Sequence, residues 1–386
     1  MVEGLKAPVT RGLTAFLNIP LLERLRAAGG DFVPLDELGA DRDRVRSDLN
    51  ALAAFGFGLE RHPYRGVAYL GPAERLCPDQ IEHELGTRWI GRRIAVWSRV
   101  SSTNDLAARA GGSVSNDGLV VLAEEQTAGR GRRGRSWTAP ARSSILMSVV
   151  LFPPPELAPA GPESALGCAW LTAVGALATA EVVSAWTGRP ATIKWPNDVR
   201  VGGRKIAGIL VERASPAGPG PGASPGAAEL AAGSGCGVVI GIGLNVNLDR
   251  EDFPAELRTC ATSLRIECGG ALLDRSAVAR ELIRRLDSWY ETSRTLDCTT
   301  LNQSWRDRSE HLGRTVQVTT PAGTLTGRLV DLDVQLGVTL ALGAPTDPDA
   351  EAASVAPRLC TLPLAEVLAL EAAVDDGVTG PAPRAD

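Results

Sequence analysis

Between Gly129 and Arg135 the chain reads Gly-Arg-Gly-Arg-Arg-Gly-Arg. Glycines let a backbone fold closely over a ligand, and guanidinium groups offer permanently charged forks to phosphate or carboxylate. The run reads as a mobile anion clamp, poorly ordered until an anion relieves the repulsion among Arg130, Arg132, Arg133 and Arg135. Its spacing also matches G-x-G-x-x-G, the dinucleotide fingerprint, whose chemistry needs a helix to open directly after the glycines. Here Ser136, Trp137, Thr138, Ala139 and Pro140 follow, then a β-like run, so the dinucleotide reading is set aside.

Lysine is the second pointer. Lys6, Lys194 and Lys205 are the only three in a chain with 40 basic residues. An ammonium is a compact point charge that arginine does not replace everywhere, so the places where lysine persists draw notice. Lys194 begins Lys-Trp-Pro-Asn-Asp, in which Pro196, Asn197 and Asp198 form a turn signature with side chains able to reach a ligand or a magnesium ion. Lys205 opens a β-branched strand, which would hold its charge on a rigid element. Ser101 to Asp105 starts a helix, Gln126 precedes the clamp, and Gly241 to Asn247 lies on a strand. Taken alone, Ser102 or Thr103 reads as an N-cap. There is no Walker A sequence, no metal-spaced pair among His62, His83 and His311, and no G-x-S-x-G elbow. P-loop kinase, zinc hydrolase and serine hydrolase chemistries are therefore disfavoured.

The elements that must position these groups follow from periodicity. Leu21, Leu22, Leu25 and Ala28, then Val45, Leu49, Leu52 and Ala53 after a polar start at Asp41, fall at helical spacing; Phe55 to Leu70 reads as two short strands. This predicts a winged helix, or a small structural or dimerising unit of the same shape. Leu119 to Ala123, Ser144 to Phe152, Ile206 to Val211 and Val238 to Val246 read as strands, and Ser164 to Trp186 and Ser276 to Arg294 as helices, giving a mixed α/β domain. The Ala, Gly, Pro and Ser run from Ala214 to Gly235 predicts a flexible loop between strands. Thr315 to Thr319, Gly323 to Val330, Gly337 to Leu340 and Cys360 to Leu368 predict a small β-barrel, followed by a disordered tail from about 372.

At 386 residues, 44% hydrophobic and 22% charged, the chain has a globular composition long enough for two or three domains. No run of about 18 or more uncharged apolar residues is present, and charges are scattered through Met1 to Gly30. A cytoplasmic protein without a signal peptide or membrane association is expected. Seven scattered cysteines suggest reduced thiols, with neither a disulfide framework nor a zinc site. The net charge of −5 argues against nonspecific nucleic-acid coating. Residues 1–85 hold ten basic and thirteen acidic side chains, and the candidate recognition helix alternates Asp41, Arg42, Asp43, Arg44, Arg46 and Asp48, whose charges sum to zero. That balance leans against DNA binding.

In this order, Ser102-Thr103-Asn104, Gln126 to Arg135, Lys194 to Asp198, Lys205 to Glu212 and Gly241 to Asn245 resemble the motifs of the biotin protein ligases. The resemblance spans about residues 20 to 370 and is most specific in the central domain. Between Leu35 and Val45 the chain looks shorter than the helix-turn-helix of the bifunctional repressor ligases. The resemblance implies an α+β protein: an N-terminal winged-helix-like domain (15–80), a central class II aminoacyl-tRNA-synthetase-like mixed-sheet catalytic domain (86–305, with a flexible insert at 214–235), a C-terminal SH3-like β-barrel (312–371) and a disordered tail (372–386). It implies biotin and ATP as substrates with Mg²⁺, formation of biotinyl-5'-adenylate, and transfer to a lysine of the biotin carboxyl carrier protein of acetyl-CoA carboxylase. A homodimer and a DNA-binding repressor role stay open. The resemblance assigns Lys205 and Arg132 to catalysis, and Ser102, Thr103, Asn104, Gln126, Arg130, Gly131, Arg132 and Lys205 to biotin. It gives Arg133, Arg135, Trp137, Lys194, Asn197, Asp198 and Asn245 to the nucleotide, with Asn197 and Asn245 near Mg²⁺. Two other readings remain: a lipoate-protein ligase, and a non-catalytic ligand-binding winged-helix transcription regulator.

Overall fold

The computed structural model describes residues 16–154, 165–214, 237–294, 298–343 and 358–373; the expected insert beyond Ala214 and tail beyond Ala373 lie outside the described residues. In the first unit, Asn18 caps α1 (Ile19–Ala27) by accepting the Leu21 N–H at 3.0 Å. After α2 (Leu35–Leu38), Asp41 caps α3 (Arg42–Phe55) by accepting from the Asp43 and Arg44 amides. Gly56 ends that helix in the left-handed region, φ 119°, where a side chain would be strained. The hairpin β1 (Gly58–His62) and β2 (Gly66–Gly71) follows. Leu22, Leu25, Leu49 and Leu52 form the buried centre of this unit.

A short α4 (Pro78–Glu82) leads into a seven-stranded sheet. Its strands are β3 (Arg93–Trp97), β4 (Leu119–Ala123), β5 (Ser144–Leu151), β6 (Ala191–Lys194), β7 (Asp198–Val201), β8 (Arg204–Arg213) and β9 (Val238–Asn245). The order is β3-β4-β5-β9-β8-β7-β6. Only the β3/β4 pair is parallel, so the sheet is mixed. On one face lies α5 (Thr103–Ala110), over a small core of Ala107, Val121, Val150 and Val239. The other face is covered by α6 (Ala165–Thr187), with α7 (Leu264–Glu267) and α8 (Arg275–Ser293) beside it. A helix apolar all round is a helix buried all round. By length and composition residues 169–187 of α6 could cross a membrane, a stretch that a search for uncharged runs passes over because Glu181 interrupts it; here most of that stretch is packed inside the protein.

The first unit docks on the start of α8, where Asp274 takes hydrogen bonds from Arg26 and from Gln80 Nε2. The last unit begins with α9 (Thr299–Arg308), whose Asn302 donates to Asp333 and accepts the Val334 N–H. It continues as an antiparallel sheet of β10 (Thr315–Thr320), β11 (Gly323–Asp333), β12 (Gly337–Leu342), β13 (Arg358–Leu362) and β14 (Ala369–Ala372), ordered β13-β12-β11-β10-β14. Two expectations fail locally. The single strand expected over Cys360 to Leu368 stops at Pro363, which has no N–H to give a ladder, turns through Leu364–Glu366 and resumes as β14. Ala214 and Ala372, expected in the flexible insert and the tail, are structured: Ala214 is buried against the α5 core, and Ala372 pairs with Val316.

Candidate active site

On the α5 face, β8 and β9 carry Gly208, Gly241 and Gly243, a trough of sheet without side chains into which the Trp137 ring and the Asn104 amide are set. The glycines are required by what lies over them. A Cβ at Gly243 would fall 2.5 Å from Cε2 of Trp137, and one at Gly241 would strike the Asn104 amide. Trp137 thus forms one wall, its Nε1–H buried without a partner. Lys205 completes it, with Nζ 5.6 Å from the Trp137 ring centroid and 2.7 Å from Asp198 Oδ1. Its backbone is pinned as well: the Lys205 N–H donates to the Cys260 carbonyl and its carbonyl accepts from Thr262.

At the other end of the trough, Ser102 takes the N-cap position of α5 but makes no capping bond. The capping oxygen comes from Gln126, whose Oε1 accepts the Thr103 N–H at 2.7 Å and lies 3.0 Å from Thr103 Oγ1. Ser148 Oγ, from β5, lies 2.8 Å from Thr103 Oγ1 and 2.6 Å from Asn104 Oδ1, and Asn104 Nδ2 donates to Glu212 at 2.6 Å. Ser102, Thr103, Asn104 and Ser148 are all buried. Oxygen acceptors therefore crowd this end of the trough, an environment suited to a ligand bearing N–H donors.

The arginine loop is folded here, which departs from the expectation of a loop left open by self-repulsion. Gly131 donates to the Arg135 carbonyl at 2.7 Å and Trp137 to the Gly129 carbonyl at 2.9 Å. Arg130 reaches Asp105 at 2.5 Å and Glu212 at 3.2 Å. The Asp105 hydrogen bond raises the Arg130 pKa. With its charge cancelled by carboxylates, Arg130 anchors the stem of the loop. Arg132, Arg133 and Arg135 are exposed, and Arg133 takes a left-handed φ of 59°. Desolvation, and then the like charge of Arg133, lower the Arg132 pKa, with Asp198 opposing both; a guanidinium stays charged at any working pH all the same. An arriving anion would relieve that crowding.

The Lys194 to Asp198 segment closes the open edge of β8. Asn197 Nδ2 donates to the Ile209 carbonyl at 2.9 Å and the Ile209 N–H returns to Asn197. Lys194 stands across the β6/β7 pair from Asp198. Asn245 is buried and donates through Nδ2 to the Thr262 carbonyl at 3.0 Å. Beside this edge is a cavity of about 150 Å³ lined by Arg132, Trp195, Pro196, Ile209, Trp305 and Leu364. Among the described residues no cluster of three or more His, Cys, Asp or Glu side chains could hold a metal. The donor set fits a magnesium ion only as a shared one: Asn197 and Asn245 commit their N–H groups to backbone carbonyls, leaving neutral amide oxygens to complement phosphates and water.

Of the expected residues, the structure brings Trp137, Lys205 and Asp198 together over the glycines of β8 and β9, and Thr103, Asn104 and Gln126 together at the start of α5; Arg132, Arg133 and Arg135 are exposed on their loop. Sequence reasoning passed over Ser148, and it gave no role to Asp105 and Glu212 although both lie inside the motifs it singled out. A serine inside the otherwise apolar run Ile145 to Leu151 was a signal for the first. The partnership of Glu212 with residues 108 and 82 positions away had none.

A sequence profile of the biotin/lipoate A/B protein ligase family matches residues 96–219. The chain is 30% identical over 321 residues to the bifunctional ligase/repressor BirA of Bacillus spizizenii, covering 82% of this chain and 91% of that protein. It is 35% identical over 283 residues to the biotin--[acetyl-CoA-carboxylase] ligase of Mycobacterium tuberculosis, covering 71% of this chain and 94% of the relative. The fold is shared with the biotin protein ligase of Aquifex aeolicus solved with biotin and ATP: TM-score 0.54 at 23% identity, over 73% of this chain and 100% of that one. The trough, its glycine floor and the arginine loop thus sit in a chain that belongs to the biotin protein ligases of the biotin/lipoate A/B protein ligase family.

Proposed function

We propose that the protein joins the carboxylate of biotin to the α-phosphate of ATP and then passes the biotinyl group to a lysine of a carrier protein, the biotin carboxyl carrier protein of acetyl-CoA carboxylase. The observation that carries this reading is the trough itself, acceptor-rich at the Thr103/Gln126 end and cationic at the Lys205 end. A cyclic urea at one end and a carboxylate at the other complement those two ends.

The chemistry asks little of the protein as a nucleophile. A biotin carboxylate oxygen attacks the α-phosphorus, the bond to the β-phosphate bridging oxygen breaks, and pyrophosphate leaves. In the second step the neutral amine of the carrier lysine attacks the mixed-anhydride carbonyl, releases AMP and loses a proton. The protein's part is alignment and cancellation of negative charge. Ser102, Thr103, Asn104 and Gln126 hold the ureido end. Lys205, steadied by Asp198, lies where the carboxylate and α-phosphate meet. Arg132, with Gly131 giving the loop its bend, closes over the ligand, and Arg130 tethers the loop. Arg133, Arg135, Lys194 and Asp198 face the nucleotide, with Trp137 covering the adenylate. Magnesium, when bound, shields the phosphates; the amide oxygens of Asn197 and Asn245 would hold it.

Domain roles follow in the same spirit. The central domain (86–305) is read as the class II synthetase-like catalytic unit and residues 312–371 as an SH3-like barrel. The three helices and hairpin of 15–80 fit a winged helix whose acidic balance favours a structural or dimerising role over DNA binding. The test is a carrier-labelling assay offering biotin and lipoate together with ATP. Biotin alone should be incorporated; lipoate labelling would favour the lipoate-ligase reading, and no labelling the non-catalytic regulator.

A further inference from the structure

Lys205 stands at an irregular place in β8. The β7 ladder pairs Val199 with Ala207 and then Arg200 with Lys205, so Ile206 is an extra residue without a partner. Pairing with β9 begins only at Ala207. A bulge of this kind re-aims the side chain beside it, and here it leaves Lys205 with no ladder partner in β9. Residues 260–262 take that place. Ala261 forms a parallel bridge with Lys205; the Cys260 carbonyl accepts the Lys205 N–H and the Thr262 N–H donates to the Lys205 carbonyl, both at 2.8 Å. Asn245, at the end of β9, donates to the Thr262 carbonyl. One short segment therefore carries two of the site residues.

Glu267, the last residue of α7, holds that segment in place. Its side chain is only 1% exposed. Oε1 accepts from Thr262 Oγ1 at 2.6 Å and from Arg204 Nη2 at 2.7 Å, and the other oxygen pairs with Arg189. A single buried carboxylate oxygen thus ties the residue before Lys205 to the residue that donates to its carbonyl. Charge-assisted bonds of this kind are the strong ones. Glu267 lies outside every motif that the sequence picked out. We propose that Glu267 is a positioning residue for Lys205: through Arg204 and Thr262 it fixes the bulged backbone and so aims the ammonium at the ligand's carboxylate. The proposal rests on the biotin reading and deepens it.

The test is calorimetric binding of biotin and of biotinol, whose alcohol replaces the carboxylate, to the full chain without ATP. Biotinol has nothing for Lys205 to hold. Glu267→Ala should therefore raise the biotin Kd about ten- to hundredfold, the scale of one hydrogen bond to a charged group, and leave the biotinol Kd within about twofold. In a Lys205→Ala background the same substitution should weaken biotin no further, because residues acting through one another are not additive. Thr262→Val breaks the tie from the other side at constant shape, and makes the same comparison if the alanine variant does not fold. An unchanged biotin Kd overturns the proposal and leaves the biotin reading intact. An equal loss for biotin and biotinol does the same, since it marks a merely structural role, as does a further loss in the Lys205→Ala background. Failure of the wild type to bind biotin would overturn the biotin reading itself, and the proposal with it.

Discussion

Alanine at Gly243 and at Gly241 should separate the two halves of the trough. At Gly243 the new methyl would lie 2.5, 2.8 and 2.9 Å from Cε2, Cζ2 and Nε1 of Trp137. Carbon atoms pack at about 3.5–4.0 Å, so the indole must withdraw by about an ångström. Trp137 is half-buried on a loop and can yield. Overpacking of a rigid core costs about 1–3 kcal/mol, and a yielding wall places the loss of stability near the low end, a fall in Tm of about 2–4 °C. The displaced ring narrows the trough, so the same 1–3 kcal/mol taken from the bound state raises the biotin KM about 5- to 150-fold. At Gly241 the methyl meets Cγ and Nδ2 of Asn104, both at 2.9 Å. Asn104 is buried and held by Glu212 and Ser148, so it cannot withdraw, and stability should fall further than at Gly243. Gly208→Ala is the mild control, its nearest contact being Trp137 Cζ3 at 3.2 Å. Thermal melts and biotin KM values for the three variants decide it. A wild-type biotin KM for Gly243→Ala, or a Gly241→Ala protein more stable than Gly243→Ala, would refute the reasoning.

Lys205→Ala removes a charge held 2.7 Å from Asp198; it should lose about 3 kcal/mol or more of transition-state stabilisation, roughly a hundredfold or greater fall in adenylation rate measured by pyrophosphate release. Arg132→Gly opens the loop at an exposed arginine, so free biotinyl-adenylate should escape and label bystander lysines, as read by blotting a mixture of the carrier and an unrelated protein; carrier-restricted labelling equal to wild type would count against a closing loop. Cys260 is exposed, whereas Cys77 is buried with its thiol pushed up to about 11 by desolvation. Iodoacetamide near neutral pH should therefore modify Cys260 well before Cys77, because the thiolate is the reactive form; peptide mapping of the labelled protein checks the order.

Local features of the fold were legible because local physics sets them. Asp41 was read as a cap from its type and position, and it accepts two amides. Leu119 to Ala123 was read as a strand from its apolar run, and β4 has those bounds. Pro363 was overlooked inside an apolar stretch, although its missing N–H breaks that strand. The site was legible as a set of residue types but not as a circuit. A charge count along the arginine loop sees only repulsion, yet Asp105 and Glu212 arrive from α5 and β8 to hold Arg130. Such pairings depend on strand order, which places β5 beside β9 and β9 beside β8, and local spacing does not encode that order. The same holds for the glycines of β8 and β9, whose necessity lies in the indole and amide stacked over them.

The measurement that bears most directly on the whole account is exchange of labelled pyrophosphate into ATP by the wild-type protein, with biotin, lipoate or no acid added. Exchange that depends on biotin, is absent with lipoate and is lost in Lys205→Ala is the predicted result. Exchange driven by lipoate, or none with either acid, would contradict it.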